Sequence, residues 1–469
     1  MRESGNSEAD VRQKQKQQTK GSQHVQARWK INNIFVALFC NTSNNLVVMN
    51  YNDEKRQHIR SLVGQIPEPE ELYGREDFIE HLWKLVEGNN VLLLAPRRFG
   101  KSGVMRHVLL KPRANFLPLA FELEDVDSAE EFVWRITREI LAHDKVREVL
   151  SQTRRLPTAL MQWVKNSFDE AEFEGAKIKF KSSIKEDWRE AARRMLAELE
   201  KIDQTVIFLF DELPAMLDRI IEKQGEAAAR DFLAWFRTVR LEQKDVLRRH
   251  RFIVAGSVGI DQILRKLGAT DKLVDFARLT VEPLENPIGE RLAEDLARAY
   301  AIGWNSQLSA RLFESIGAAV PYFIHIFFSQ LGQLPSAQRT GLTVEQLEQV
   351  YRERMLGPTC RHYFDHYSNR LRRYGKTVEK AAVAILCAVA GQGRISRVAL
   401  YELYRKARGK GASDREFDEL MADLEYDWYL RLDPGTNEFY FRLKVMQDWW
   451  RRWYPPAAPK TPAAKALKS

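Results

Sequence analysis

The chain has 469 residues, of which 44% are hydrophobic, so it is long enough for two or three domains with buried cores. The net charge is +9, and much of the excess of Lys and Arg lies at the two ends of the chain. The three cysteines, Cys40, Cys360 and Cys387, form no CxxC pair, which argues against a disulfide framework and a zinc site and favours the cytoplasm. No apolar stretch is long enough to span a bilayer, so no membrane association is expected.

The two ends of the chain differ from the rest in composition. Residues 1–48 are rich in Gln, Asn and Ser and show no sustained periodicity, which predicts a disordered N-terminal extension. We expect the functional protein to begin near Met49, with the extension dispensable. Residues 455–469 are rich in Pro, Ala and Lys and are predicted to form a disordered tail.

From residue 67 onward, short apolar runs alternate with amphipathic segments. The apolar runs predict buried strands at 91–95, 116–123, 205–210, 251–255 and 279–283. The amphipathic segments predict helices at 77–87, 101–110, 129–142 and 226–242. Residues 145–200 are predicted to be mostly helical, with a β excursion at 177–181. This alternation indicates an α/β fold with a parallel sheet covered on both faces, which we assign to residues 67–285.

The second half of the chain is predicted to be mainly helical. Residues 286–376 are expected to form a helical subdomain that follows the sheet. Residues 377–454 contain three helical segments and an apparent hairpin, whose turn at 433–437 reads Asp-Pro-Gly-Thr-Asn. Three helices and a β-wing suggest a winged-helix domain.

A phosphate-binding loop is predicted at residues 95–102, which read Ala-Pro-Arg-Arg-Phe-Gly-Lys-Ser. They match the P-loop pattern at every position but the first, where Ala95 replaces Gly, and they lie between a predicted strand and a predicted helix. In such a loop the backbone N–H groups and the helix N-terminus point at the phosphates. Lys101 is expected to neutralise the β and γ phosphates, and Ser102 to ligate Mg²⁺.

The backbone conformation of the loop restricts which residues fit at Gly100 and Ala95. Gly100 is expected because a side chain there would block the close approach of the backbone to the phosphates. If the first position requires a positive φ, Ala95 carries some strain. The predicted nucleotide-binding residues of the loop are Ala95, Pro96, Arg97, Arg98, Phe99, Gly100, Lys101, Ser102 and Gly103.

A pair of carboxylates follows the third predicted strand, 110 residues beyond Lys101. Five apolar residues, 206–210, lead directly into Asp211 and Glu212. The strand would deliver both acids to the carboxyl edge of the sheet, where sites of α/β proteins lie. Asp211 is predicted to hold Mg²⁺, and Glu212 to polarise the attacking water. An acidic turn exposed to solvent is the structural alternative.

Three further residues are candidates for contact with the terminal phosphate. Ser257 follows the fourth predicted strand and is either a phosphate sensor or a plain turn residue. Arg237 and Arg240 share a helix face, since they are three positions apart. They are either an arginine finger, acting in cis or in trans, or part of a solvated basic face.

These motifs together resemble the STAND class of AAA-like ATPases, in particular its archaeal-type ATPase group. Leu72-Tyr73-Gly74-Arg75-Glu76 resembles the "GRE" segment of that group, residues 95–102 its "GPRRxGKT" loop, 210–214 its "DE" strand, and 255–259 its "GS" sensor strand. The residues from Phe441-Arg442 to Asp448-Trp449-Trp450-Arg451-Arg452 resemble its C-terminal signature. The resemblance extends over about 67–454.

The resemblance implies additional nucleotide contacts and a mode of action. It places Arg75 beside the nucleotide base, and Pro321 in the "G-x-P" segment that approaches the nucleotide, although Ala318 or Ala319 takes the place of the glycine. It implies a cytoplasmic switch in which the ATPase core and the winged helix clamp ADP at rest and open with ATP. It also implies self-association and an unidentified protein partner. The choice of ATP over GTP rests on the resemblance alone, since no motif reads the base.

The predicted winged helix raises the question of DNA binding. Its third helix, 414–429, carries seven acids against one Arg, and such a surface repels phosphates, which favours a structural or protein-contact role. The basic stretch 394–410 could contact a DNA backbone without sequence preference. Trp428, Trp449, Trp450 and Trp453 are expected to pack in a core rather than to form a base-stacking platform. Trp449 and Trp450 are adjacent and cannot share one narrow face of a helix, so we expect one of them to remain available for an interface.

Three functions are therefore open. The first is an ATP-hydrolysing molecular switch. The second is a DNA-associated ATPase that resembles origin-binding or transposition-helper proteins. The third is a nucleotide-binding scaffold with little turnover.

Overall fold

The computed structural model describes residues 59, 62–144, 146, 188–199, 202–241, 250–257 and 259–455. The predicted N-terminal extension, the β excursion at 177–181 and the tail beyond residue 455 lie outside these residues. Among the described helices, none is both long enough and apolar enough to cross a bilayer.

The sheet of the first half is formed by the apolar runs, which are buried because helices cover both faces. Its strands are β1 (Asn90–Ala95), β2 (Phe116–Glu122), β3 (Thr205–Asp211), β4 (His250–Ser257) and β5 (Phe276–Thr280). They pair in parallel in the order β2-β3-β4-β1-β5, so the predicted parallel sheet is confirmed. Strand β5 begins three residues earlier than expected, because this edge strand is only partly buried and lacks an apolar run.

Helices pack on the two faces of this sheet. They are α1 (Glu76–Gly88), α2 (Lys101–Leu110), α3 (Ala129–Ala142), α4 (Trp188–Leu199), α5 (Leu213–Gln224), α6 (Glu226–Leu241) and α7 (Ile260–Lys266). Helix α5 was not predicted, because Pro214 interrupts the apolar pattern. Proline is nevertheless well tolerated at this place, in the first turn of a helix.

The second half is mainly helical, as predicted. Its helices are α8 (Asn286–Ala299), α9 (Ser306–Ile316), α10 (Pro321–Leu331), α11 (Ser336–Thr340), α12 (Val344–Val350), α13 (Asp365–Arg370), α14 (Lys376–Gln392), α15 (Arg397–Arg408), α16 (Asp414–Tyr426) and α17 (Lys444–Trp453). Short π and 3₁₀ turns, among them Tyr351–Met355 and Leu371–Tyr374, connect them.

A small antiparallel sheet lies near the end of the chain. Strands β6 (Arg394–Ser396), β7 (Leu430–Asp433) and β8 (Glu438–Phe441) pair in the order β6-β8-β7. The predicted turn between β7 and β8 closes through the N–H of Asn437, which donates to the carbonyl oxygen of Asp433 at 2.8 Å. Strand β6 was not predicted. The winged-helix assignment of this segment stays a prediction.

Two hydrophobic cores lie on opposite faces of the parallel sheet. Alternate residues of the strands divide between them, as the two-residue period of a strand requires: Leu93 and Leu209 contribute to one, Leu92 and Phe208 to the other. The first core continues from the sheet through the helical half into α14 and α17. The described residues accordingly belong to one compact unit.

Trp449 and Trp450 belong to this continuous core. Both are fully buried, so the expectation that one of them stays exposed is wrong. Trp449 stacks with Phe364, and Trp450 meets Tyr429 edge-on, at ring-centroid distances of 5.7 and 6.1 Å. Helix α17 is therefore enclosed on two sides, and both rings find packing partners.

Candidate nucleotide-binding site

The predicted phosphate loop connects the end of β1 to the start of α2. The backbone is left-handed at Arg98, where φ is 73°, and at Gly100, where φ is 98°. Only glycine adopts such a conformation without strain, and this explains why Gly100 precedes α2. Ala95 ends β1 and does not have a positive φ, so the predicted strain at Ala95 is absent. Within the loop, the non-glycine residue with a positive φ is instead Arg98.

Lys101 lies against the two predicted acids. Its ammonium forms an ion pair with the carboxylate of Asp211, and its Nζ is 3.3 Å from Oε1 of Glu212. The lysine is buried, which opposes its charge, yet the two carboxylates hold its pKa above the ordinary value. The start of α2 and the end of β3 therefore converge at the carboxyl edge of the sheet.

Glu212 occupies a special backbone position between β3 and α5. Its φ and ψ are 58° and 36°, a left-handed conformation that non-glycine residues seldom adopt outside turns and functional sites. Its backbone N–H donates to Oδ1 of Asp211 at 2.9 Å. The turn thus fixes the two acids relative to each other, with both carboxylates directed at Lys101.

The remaining residues of the loop lie just before α2 and in its first turn. Ser102 is half-buried, while Arg97 and Arg98 are exposed and Pro96 is buried. A Cβ on Gly103 would lie 2.7 Å from Cγ of Pro67. Gly103 therefore allows the chain that precedes α1 to cross closely over α2.

Arg75 and α10 also reach the loop. The Arg75 guanidinium donates to the carbonyl oxygens of Phe99, at 3.4 Å, and Glu282, at 2.7 Å, and burial lowers its pKa to about 10. Pro321 is the first residue of α10, and the ring of the next residue, Tyr322, lies 5.3 Å from the Arg98 guanidinium. Both regions implied by the family resemblance thus border the phosphate loop.

Of the three candidates for the terminal phosphate, only Ser257 lies at the loop. It is paired in register with Ala95, which places its backbone at the start of the loop. Arg237 forms an ion pair with Asp271 at 2.7 Å, and the buried Arg240 does so with Asp275 at 2.9 Å. The structure does not bring these two arginines to the loop, and a finger role would require both to leave their partners.

Glu122 was missed by the sequence analysis. It is the last residue of β2, where it pairs in register with Asp211 of β3. Burial, and then the charge of Asp211, raises its pKa to about 7. A signal existed in the sequence, since Glu122 ends an apolar run just as Asp211 does, but only the register reveals that they are neighbours.

Side chains from the second half of the chain contact the phosphate loop directly. The ring of Trp428, which follows α16, meets the ring of Phe99 edge-on, with centroids 4.8 Å apart. The hydroxyl of Tyr367 in α13 donates to the carbonyl oxygen of Arg97 at 3.4 Å. Any movement of the loop would therefore change its contacts with Tyr367 of α13 and with Trp428, which follows α16.

The acidic end of α16 forms ion pairs with arginines of other elements. Asp423 pairs with Arg265 of α7. Asp427, whose side chain is 1% exposed, pairs with Arg373 and lies 3.1 Å from Arg370. A Cβ on Gly259 would lie 2.3 Å from the Arg373 guanidinium, so this network also contacts the turn that follows β4.

Comparison with known proteins supports the fold. No protein-family model matches the chain, and no curated protein matches it. Among solved structures, the Walker-type ATPase paby2304 of Pyrococcus abyssi matches with a TM-score of 0.57 and 16% sequence identity, over 82% of this chain and 97% of that one. The chain has a P-loop NTPase fold. The ORC2 protein of Aeropyrum pernix matches over 82% of this chain and 95% of its own, at 11% identity, but its TM-score of 0.47 is too low to carry an argument.

The raised pKa of Glu122 predicts a pH-dependent stability. Between its ordinary pKa of 4.5 and about 7, the folded state holds a proton that the unfolded state has lost, so the free energy of unfolding falls as the pH rises. Glu122→Gln removes this contribution to the pH dependence of the unfolding free energy, because the amide does not titrate. We expect the variant to exceed the wild type in unfolding free energy by ~1–3 kcal/mol at pH 8 and by little at pH 4.5. Urea unfolding at both pH values measures this, and equal gains at both would contradict it.

Proposed function

We propose that this protein is a Mg²⁺-dependent ATPase that acts as a nucleotide-driven switch. ATP binds through the loop 95–103, and water activated by Glu212 attacks its terminal phosphate. The supporting observation is the contact of Lys101, at the start of α2, with Asp211 and Glu212 at the end of β3. A basic loop and an acid pair that are far apart in sequence meet at one point, as hydrolysis of a nucleoside triphosphate requires.

The residues at the loop suit a magnesium ion carried by the nucleotide. The Ser102 hydroxyl and the Asp211 carboxylate are oxygen ligands of the kind Mg²⁺ prefers, and Mg²⁺ bound with phosphates needs only one or two protein ligands. When bound, the ion would neutralise charge on the phosphate oxygens. Asp211 already faces the loop, since it holds the buried Lys101.

The ion pairs of Lys101 describe how the loop is kept ready in the absence of phosphate. The triphosphate competes with Asp211 and Glu212 for the lysine, because its oxygens offer charge-assisted hydrogen bonds of the same kind. Once Lys101 turns to the phosphates, the Glu212 carboxylate is released to accept a proton from water. The left-handed backbone of Glu212 then directs the carboxylate from a fixed turn.

The switch part of the proposal rests on contacts between the second half of the chain and the loop. Trp428 on Phe99 and Tyr367 on Arg97 transmit a change of the loop to α16 and α13. The Asp427 ion pairs fasten the end of α16 to the segment that lies against Gly259. This arrangement suits a resting state that retains ADP and opens with ATP, as the STAND resemblance implies. We extend the proposal to ATP-linked self-association and a protein partner.

A DNA-associated function is less well supported. In the basic stretch 394–410, four of the six arginines and lysines are ion-paired with acids at positions 402–433: Arg394 with Asp433, Arg397 with Asp418, Arg405 with Glu402, and Arg408 with Glu416. Asp423 of α16 and Asp427, the residue that follows it, bind arginines of other elements. The charge that would attract phosphates is thus largely compensated.

Two substitutions test the hydrolytic site. Lys101→Ala is expected to weaken binding of a fluorescent ATP analogue by roughly 100-fold or more, because charge-assisted contacts of about 1.5–3 kcal/mol each are lost. Glu212→Gln is expected to keep binding and to lower turnover by roughly 100- to 10,000-fold, as loss of a general base does. Two exposed residues serve as controls: Lys111→Ala, at the C-terminal end of α2, and Glu222→Gln, in α5. Normal hydrolysis by Glu212→Gln would show that its assigned role is wrong.

The switch is tested by loosening its ion pairs. Asp427→Asn leaves Arg370 and Arg373 without their anion, so we expect release of a fluorescent ADP to accelerate by about 5-fold or more, the lower end of typical coupling energies. Stopped-flow fluorescence measures the rate. Asp418→Asn is the matched control, since Asp418 is an exposed acid of α16 whose ion pair in the described part of the chain is with Arg397. Equal rates of ADP release in both variants and the wild type would show that the ion pairs of Asp427 do not affect nucleotide binding, and would contradict the proposed switch.

The DNA-associated alternative is tested by a gel shift. Because most of the basic stretch is ion-paired, we expect no shift of duplex DNA at about 150 mM salt and no acceleration of ATP hydrolysis by DNA. A shift that weakens steeply with salt and disappears in Lys406→Glu would instead support the DNA-associated function.

A further inference from the structure

One peptide group of the phosphate loop is held by a side chain from the second half of the chain. Tyr367 lies in α13, and its hydroxyl donates to the carbonyl oxygen of Arg97 at 3.4 Å. The C=O and N–H of a planar trans peptide group point in opposite directions. A donor that holds the carbonyl oxygen of Arg97 on the side of α13 therefore directs the N–H of Arg98 to the opposite side.

A second peptide group of the loop is held in the same way. The guanidinium of Arg75 donates to the carbonyl oxygen of Phe99 at 3.4 Å, so the N–H of Gly100 points away from Arg75. In the described part of the chain, the N–H groups of Arg98 and Gly100 donate to no backbone oxygen. Both residues are left-handed, and N–H groups around such residues form concavities that bind anions. Two oriented backbone donors are thus available for phosphate oxygens.

The position of the Tyr367 hydroxyl is itself fixed by packing. The ring of Tyr367 stacks on Phe323 of α10 and meets the ring of Tyr429 edge-on, with centroids 6.4 and 6.3 Å away. The hydroxyl of Tyr429 donates to the backbone carbonyl oxygen of Tyr367 at 2.5 Å. Tyr429 directly follows Trp428, whose ring contacts Phe99 of the loop. A displacement of this segment would therefore move the Tyr367 hydroxyl relative to the loop.

We propose that Tyr367 is a positioning residue of the phosphate loop, whose hydroxyl orients the peptide group between Arg97 and Arg98 for phosphate binding. This inference rests on the proposed ATPase function and names one route by which the second half of the chain regulates it. While Tyr367 is in place, the N–H of Arg98 is already directed at the phosphates, so binding requires no rotation of the peptide group. When α13 moves away, the peptide group is free to rotate, and the nucleotide is held less tightly.

Removal of one hydroxyl tests this role. Tyr367→Phe keeps the buried ring and its packing but removes the donor. We expect the dissociation constant of a fluorescent ATP analogue and KM for ATP to rise roughly threefold to tenfold, as loss of one hydrogen bond does, with kcat nearly unchanged. The value of kcat is retained because Glu212 belongs to another turn, which its own N–H bond to Asp211 fixes. A purely structural role of Tyr367 would instead reduce the active fraction, which lowers kcat and leaves KM unchanged.

Tyr351→Phe is the matched control. Tyr351 is another buried tyrosine of the second half, and its hydroxyl lies 2.9 Å from the carbonyl oxygen of Ser315 in α9 and 3.0 Å from the carboxylate of Asp448 in α17. The substitution removes the same group from a similar environment that has no assigned role in the loop, so we expect the KM of the wild type. A wild-type KM in Tyr367→Phe would overturn the proposal, and so would an equal rise of KM in Tyr351→Phe.

A measurement on the wild type makes the test independent of how well the variants fold. Because binding and conformation are linked, a nucleotide that binds more tightly while α13 is docked also favours the docked position. We therefore expect a non-hydrolysable ATP analogue to slow backbone hydrogen exchange in α13 several-fold more than in α11. Equal effects on the two helices would contradict the proposal.

The lysine variant distinguishes this inference from the proposed function. If Lys101→Ala binds ATP as the wild type does, the loop is not the nucleotide site, and the ATPase proposal fails together with the role of Tyr367. If Lys101→Ala loses ATP binding while Tyr367→Phe retains the wild-type KM, only the role of Tyr367 is refuted.

Discussion

A buried lysine between two carboxylates joins the two halves of the candidate site. Lys101 opens α2, while Asp211 and Glu212 close β3, and the ion pairs among them span 110 residues of sequence. Burial by itself would disfavour the ammonium, and the carboxylates by themselves would repel each other; only together are the charges compensated. Under the proposed function, a triphosphate with its metal ion would replace the acids as the partner of the lysine.

Much of this site followed from local sequence patterns. The strands were predictable because residues buried on both faces form continuous apolar runs, and the loop and acids because they follow such runs directly. Edge strand β5 and helix α5 were misjudged or missed, since partial burial and Pro214 obscure their patterns. Glu122 could not be assigned, because its importance depends on the register of β2 against β3, which no local pattern encodes.

The long-range contacts of the second half could not be predicted for the same reason. The acids of α16 suggested a surface that repels DNA, and the sequence offered no sign that Asp427 would be buried among arginines of another segment. The two tryptophans of α17 were not expected to share one narrow face, but other elements pack on both sides of this helix. In each case the tertiary partner decides what the side chain does.

The edge-on contact of Trp428 with Phe99 bears on how the chain can be divided. Phe99 is fully buried, and part of its cover comes from a residue more than 300 positions later. A fragment that ends after the parallel sheet would expose the ring of Phe99 within the phosphate loop. Gly100 and Lys101 would then lie next to an apolar surface that is in contact with solvent. The sheet and its loop are thus not a self-sufficient module, even though every strand of the sheet precedes residue 281.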